Sequence, residues 1–313
     1  MTMIIDLEEL LASSDSHVRD ELNSKPEVVE VYDLDLDDDP APIQARRWYK
    51  IDNVVAVVAD LKSSTKLSVR KYPASTASIY AAALDPLLRI ARAREAGYAQ
   101  LQGDCVVALF WGDRAVERAM CAGITMRTFS ADHLVPQLEK KWNQDDQLPE
   151  TGFKIGIASS PLLTKRIGIV KTTFQDLVWP GKAVNYAAKA AQSADRHELA
   201  IAGSVWDAIE KNDYLTFSCD CKTPDHTIWQ DHEIESLDHD SDEKSGRLLS
   251  VGWCAICGPG FLTAILDGQT TRDTVNPVRA KLRSAVFASS LASKRARERE
   301  SRRNLNARIG ALR

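Results

Sequence analysis

The 313-residue chain has no run of eighteen apolar residues, so no segment of it can cross a bilayer as a helix. Its first residues lack a basic stretch followed by an apolar one, which predicts no secretory leader. Six cysteines are too few to staple a chain of this length, and these absences together predict a reducing cytoplasm. No internal repeat is present. What the chain does have is 44% apolar residues, enough for a real core in one large or two small domains.

Charge is unevenly spread. From Arg272 to Arg313 there are twelve basic and three acidic residues, a balance of +9, and the net charge of −4 leaves −13 for the remainder. Such a split marks a separately acting tail. Residues 1–45 read as a peripheral extension ending in an acidic link from Asp33 to Pro40, and the core begins near Trp48. A strand at 53–59 precedes a helix at 74–96, a hairpin at 98–111 and a helix at 113–132. Strands at 153–158 and 167–173 follow, then a helix from Lys182 to Arg196, a strand at 198–202 and a helix capped by Ser204. This order predicts an α+β fold of split β-α-β type, with a mostly antiparallel sheet and helices on one face. The expected partition is an extension (1–45), a main domain (46–215), a Cys- and His-containing excursion that returns to the sheet (216–265) and a basic helical tail (266–313).

Two peptides carry the chemistry. In the first, the apolar run from Val54 to Ala59 ends on Asp60 and opens into Leu61-Lys62-Ser63-Ser64-Thr65. The second is Leu101-Gln102-Gly103-Asp104-Cys105, a hairpin signal whose turn holds another acid. If the first strand lies beside the hairpin, two carboxylates meet at one end of a sheet. That pair suits two hard divalent cations holding a triphosphate. Alternatively, the two acids merely cap a strand and a turn.

These peptides resemble the catalytic domain of class III nucleotidyl cyclases, which pairs a strand ending Asp-Ile-x-Gly-Phe-Thr with a Gly-Asp hairpin and a Val-Asn-x-Ala-x-Arg helix. Here the matching segments are Asp60 to Thr65, Gly103-Asp104 and Val184-Asn185-Tyr186-Ala187-Ala188-Lys189, with Gly156 and Gly168 on the strand pair. The resemblance implies that Asp60, Asp104 and the Leu61 carbonyl hold two Mg²⁺ or Mn²⁺ ions. It also implies that the backbone around Leu61, Ser63, Ser64 and Thr65 cradles phosphate. Asn185 would orient the ribose, and Lys189 would stand where the family has a transition-state arginine. The base-reading lysine and aspartate of adenine-using members fall on Gln100 and Val178, with Asp176 close enough to restore an acid. Pro161 replaces a phosphate arginine, whose charge Lys165 and Arg166 are placed to supply. Tyr49 is placed either to narrow the base pocket or to close the edge of the core.

Together with residues 179–186, these departures look most like the pyrimidine cyclases of Pycsar anti-phage systems. The implied activity is UTP to cyclic UMP, with CTP, then ATP, then a catalytically silent nucleotide sensor as alternatives. The product would activate a separate effector, and the site would be shared across a homodimer. Cys219, Cys221, Cys254 and Cys257 form two close pairs compatible with structural zinc, although buried cysteines on adjacent strands give the same pattern. The charge-dense stretch from Lys294 to Arg303 has no interleaved aromatics, which argues against single-stranded nucleic acid as its partner.

Overall fold

The computed structural model describes residues 6–36, 46–69, 71–142, 149–169, 171–221 and 226–281. In chain order its first elements are α1 (Leu7–Asn23), β1 (Glu27–Val31), β2 (Arg47–Lys62), α2 (Ser64–Leu67) and α3 (Pro73–Ala93). The hairpin β3 (Tyr98–Gln102) and β4 (Cys105–Phe110) leads into α4 (Ala115–Thr128), which runs through a π-helical stretch at Phe129–Leu134 into α5 (Val135–Trp142). Next come β5 (Gly152–Gly168), β6 (Gln175–Val178), α6 (Ala183–Ser193), β7 (Leu199–Ile201), α7 (Gly203–Ile209) and α8 (Asp213–Thr216). The last elements are β8 (Trp229–Glu233), α9 (Ser241–Lys244), β9 (Ser245–Leu249) and α10 (Gly258–Leu266).

The strands form one sheet in the order β3-β4-β2-β5-β7-β9-β8, with β1 parallel to β2 and β6 antiparallel to the far half of β5. Both β4 and β5 run antiparallel to β2, which lies between them. The crossovers β2-α3-β3 and β4-α4-β5 therefore each step over one strand, the double split β-α-β arrangement. Their helices cover the face of β2 that carries Val55, Val57, Ala59 and Leu61. A third crossover, α6 between the parallel neighbours β5 and β7, covers the face that carries Val54, Ala56 and Val58.

That second cover corrects the expectation of helices on one face. A strand buried on both sides reads as an unbroken apolar run, and Val54 to Ala59 is such a run. Each buried valine contributes about 1.5 kcal/mol or more, so the strand ending in Asp60 is heavily anchored. Gly156 sets how closely α6 approaches: a Cβ there would lie 2.0 Å from the Ala187 carbonyl oxygen and 2.3 Å from the Ala191 nitrogen.

Other sequence expectations change as well. The strand expected at 167–173 is the end of β5 followed by a turn, and its hairpin partner is β6. The helix expected to be capped by Ser204 starts at Gly203 behind Ala202, while the Ser204 hydroxyl lies 3.0 Å from a Glu243 carboxylate oxygen. Within the excursion, β8 pairs antiparallel with β9, and Cys254 and Cys257 occupy a turn before α10 rather than a strand. Among the described residues no helix is long and apolar enough to cross a membrane. The basic stretch beyond Lys281 lies outside the described residues.

Candidate active site

Asp60 stands where the apolar run of β2 stops. Its cross-strand partners are Cys105 on β4 and Lys154 on β5. Asp104 immediately precedes Cys105 in the β3–β4 turn, where Gly103 takes φ +66°, a conformation that favours glycine. The Cys105 thiol is pushed up to about 12, first by burial and then by the carboxylates of Asp60 and Asp104. Asp60 and Asp104 thus flank Cys105, one across the sheet and the other along the chain.

Lys154 places its ammonium 3.0 Å from an Asp60 oxygen, with the two side chains 19% and 33% exposed. A cation already sits beside Asp60. Among the described residues Asp104 has no ion pair. Two half-exposed carboxylates are hard oxygen donors, so the donor set fits Mg²⁺ or Mn²⁺. Leu61 has its side chain buried, which leaves only its backbone to face the site. Lys62 ties the strand end to Glu150 at 3.1 Å and Asp195 at 2.6 Å. Ser63 then turns the chain at φ +61°, Ser64 is buried and Thr65 is exposed in the first turn of α2.

A second group assembles on the same sheet face. The Gln100 amide donates to an Asp176 oxygen at 2.6 Å, and the Tyr98 hydroxyl lies 3.4 Å from the other. Burial, then the Asp176 charge, pushes the Tyr98 hydroxyl up to about 12, while Arg166 acts in the opposite direction. Trp179 packs its ring 5.1 Å from Tyr98 and 5.6 Å from Trp111. The acid that meets Gln100 is thus Asp176. Val178, two residues on, is half-buried and pairs across the hairpin with Lys165.

Asn185 is exposed on α6, with Lys189 one turn further on the same face. Lys189 donates to the Ser236 carbonyl at 2.9 Å. Tyr186 lies on the buried side, and its hydroxyl donates to Asp240 at 3.1 Å. Lys165 lies 5.9 Å from the Trp48 ring centroid. Tyr49 is buried in the α6-side core, opposite Val29 and Thr164. The four cysteines gather elsewhere, between the loop after α8 and the turn before α10.

Sequence reasoning did not single out Lys154 or Ser236. Lys154 had a signal, as the one charged residue between Thr151 and Ser160, at the register where Asp60 pairs. Ser236 contributes only a backbone oxygen, for which no residue type is a signal.

No family model matches the chain. A uridylate cyclase from Micromonospora echinofusca is 47% identical over 299 residues, covering 95% of this chain and 96% of that protein. A uridylate cyclase from Propioniciclava tarda is 42% identical over 293 residues, covering 92% and 93%. A solved structure, the adenylyl cyclase CyaB from P. aeruginosa, matches 52% of this chain and 82% of its own at 18% identity and TM-score 0.45. On the identity and coverage of the two full-length relatives, this chain belongs to the uridylate cyclase family.

Proposed function

We propose that the protein converts UTP to 3′,5′-cyclic UMP and pyrophosphate, with residues 46–215 as the catalytic unit. The observation that supports the chemistry is the pairing of Asp60 across the sheet with Cys105, the residue that follows Asp104. The substrate follows from the two uridylate cyclases that match nearly the whole chain. In the reaction the substrate's own 3′-oxygen forms a bond to the α-phosphorus. The bond from that phosphorus to the bridging oxygen breaks, and pyrophosphate leaves with its electron pair.

Asp60, Asp104 and the Leu61 carbonyl would hold two Mg²⁺ or Mn²⁺ ions, which when bound supply positive charge for the triphosphate and favour loss of the hydroxyl proton. The remaining work falls to side chains. The backbone and hydroxyls from Ser63 to Thr65 present small polar groups to phosphate. Gln100, held by Asp176, presents an amide with a fixed donor and acceptor order to a pyrimidine edge. Lys165 and Arg166 offer charge to the phosphates, and Tyr49 supports the wall from within the core. Asn185 orients the ribose, and Lys189 would exchange the Ser236 carbonyl for the charge that develops at phosphorus.

The exposed Asn185–Lys189 face and the Asp60–Asp104 pair complete one another across a homodimer, giving two composite sites. The product is a small diffusible messenger, released in the cytoplasm to a separate effector. Its place in anti-phage defence is supported by the resemblance of residues 179–186 to the pyrimidine cyclases of those systems. Incubation with each of the four nucleoside triphosphates and Mn²⁺, read by mass spectrometry, should yield cyclic UMP from UTP. Cyclic AMP as the main product, or no cyclic product, would overturn the assignment.

A further inference from the structure

Two loops that meet far from Asp60 bring four thiols together. Cys219 and Cys221 come from the segment after α8, and Cys254 and Cys257 from the turn that starts α10. All four are unbonded, and their sulfurs lie within 4.8 Å of one another. The Cys221 sulfur is 3.4 Å from that of Cys254 and 3.1 Å from that of Cys257. A tetrahedron with Zn–S bonds of about 2.3 Å has edges of about 3.8 Å, so the observed spacing brackets that of a four-sulfur zinc site.

Both loops are shaped before any ion arrives. On one side, the Gly258 N–H donates to the Cys254 carbonyl at 2.8 Å, which closes the turn that carries Cys254 and Cys257. On the other side, the buried Arg272 guanidinium donates to the Ser218 carbonyl at 3.0 and 3.1 Å and pairs with Asp220, fixing the residues on either side of Cys219. Beneath lies an apolar cavity of about 200 Å³ lined by Tyr214, Phe217, Trp253 and Phe261 among others. Packing alone does not close this corner. Neither cysteine pair lies on a strand, so the pattern is not that of two buried sheet cysteines.

We propose that Cys219, Cys221, Cys254 and Cys257 bind one Zn²⁺ that clasps the excursion after α8 to the start of α10. Binding releases up to four thiol protons to solvent and involves no change of oxidation state. Four protein ligands close the coordination sphere, so the ion is structural and takes no part in cyclisation. The site is independent of the nucleotide reading and stands or falls separately from it.

Elemental analysis of the full-length chain, purified without chelator, should give one zinc per chain. The double variant Cys254→Ser/Cys257→Ser should hold under about a tenth of that, and Cys121→Ser, outside the cluster, should keep it. Exchange with Co²⁺ gives a readout that needs no variant: intense visible bands of a tetrahedral site with sulfur-to-metal charge transfer. Iron in place of zinc, a disulfide among the four, or four free thiols that take up no Co²⁺ would each overturn the proposal.

Discussion

Gln100 can present its amide in two orders, and a carboxylate decides between them. Because Asp176 accepts from the amide nitrogen at 2.6 Å, the carbonyl oxygen of Gln100 is directed away from that acid. A flipped amide would set oxygen against oxygen. Uracil and cytosine differ in the donor and acceptor order of the same edge, so a locked amide can distinguish them. Asp176→Asn removes the lock, since the substituted side chain can both donate and accept. We expect the ratio of kcat/KM for UTP over CTP to fall by on the order of tenfold, measured with each substrate separately. The positions of Asp60 at a strand end and of Asp104 in a hairpin turn were legible, from an apolar run that stops on an acid and a Gly-Asp pair between two strand patterns. Asp176 was harder to place, because a strand of four residues leaves its register open by two positions, and the register decides whether Asp176 or Val178 meets Gln100. Lys154 stood out as a lone charge on an apolar strand, but its role was not legible, since such a lysine reads as solvated until its partner strand is known.

At the scale of elements, β2 and the β3–β4 hairpin follow from their residues, and so does the double split β-α-β order. The misplaced element is β6. Residues 171–174 look extended because of Thr172, Thr173 and Phe174, yet the Thr172 hydroxyl donates to the Ile169 carbonyl at 2.7 Å and accepts from the Phe174 N–H at 3.1 Å. Such local bonds compete with a sheet ladder and make a turn. The cover of the second face was also not legible, because an alanine-rich helix shows little apolar contrast. That helix depends on one glycine. Gly156→Ala should cost about 3 kcal/mol or more, read as a drop in the chemical-denaturation midpoint, because backbone rather than a flexible side chain blocks the new methyl.

A second element-scale junction joins the π-helical stretch to β5. The Ser130 hydroxyl oxygen accepts the Phe153 N–H at 2.8 Å and lies 3.1 Å from His197 Nδ1. Burial foremost, then the charges of Arg196 and Arg127, lowers the His197 pKa below its ordinary 6.5. The unfolded chain therefore takes up this proton first as pH falls. Stability from His197 is fully present above about 6.5 and declines below it, until the folded form also protonates. Denaturation midpoints should fall between about pH 7.5 and pH 5.5, and His197→Gln should flatten that decline.

For the whole molecule, the proposed function calls for a site shared between two chains. The acidic body and its basic extension are distinguishable by charge alone, but nothing in composition reports how two chains meet. The proposal assigns that meeting to the α6 face that carries Asn185 and Lys189. On that proposal each chain supplies carboxylates to one site and α6 to the other, and loss of either half leaves the fold in place. Asp60→Asn removes a charge at a strand end and little core volume, and Asn185→Ala trims an exposed side chain. The most direct test is UTP turnover by these two variants, alone and mixed in equal amounts after exchange of chains. Each alone should be nearly inactive, whereas the mixture should recover about a quarter of wild-type turnover, because half of randomly paired dimers hold one intact site of two. Wild-type turnover by Asp60→Asn alone, or no recovery in a mixture shown to have exchanged, would contradict the account.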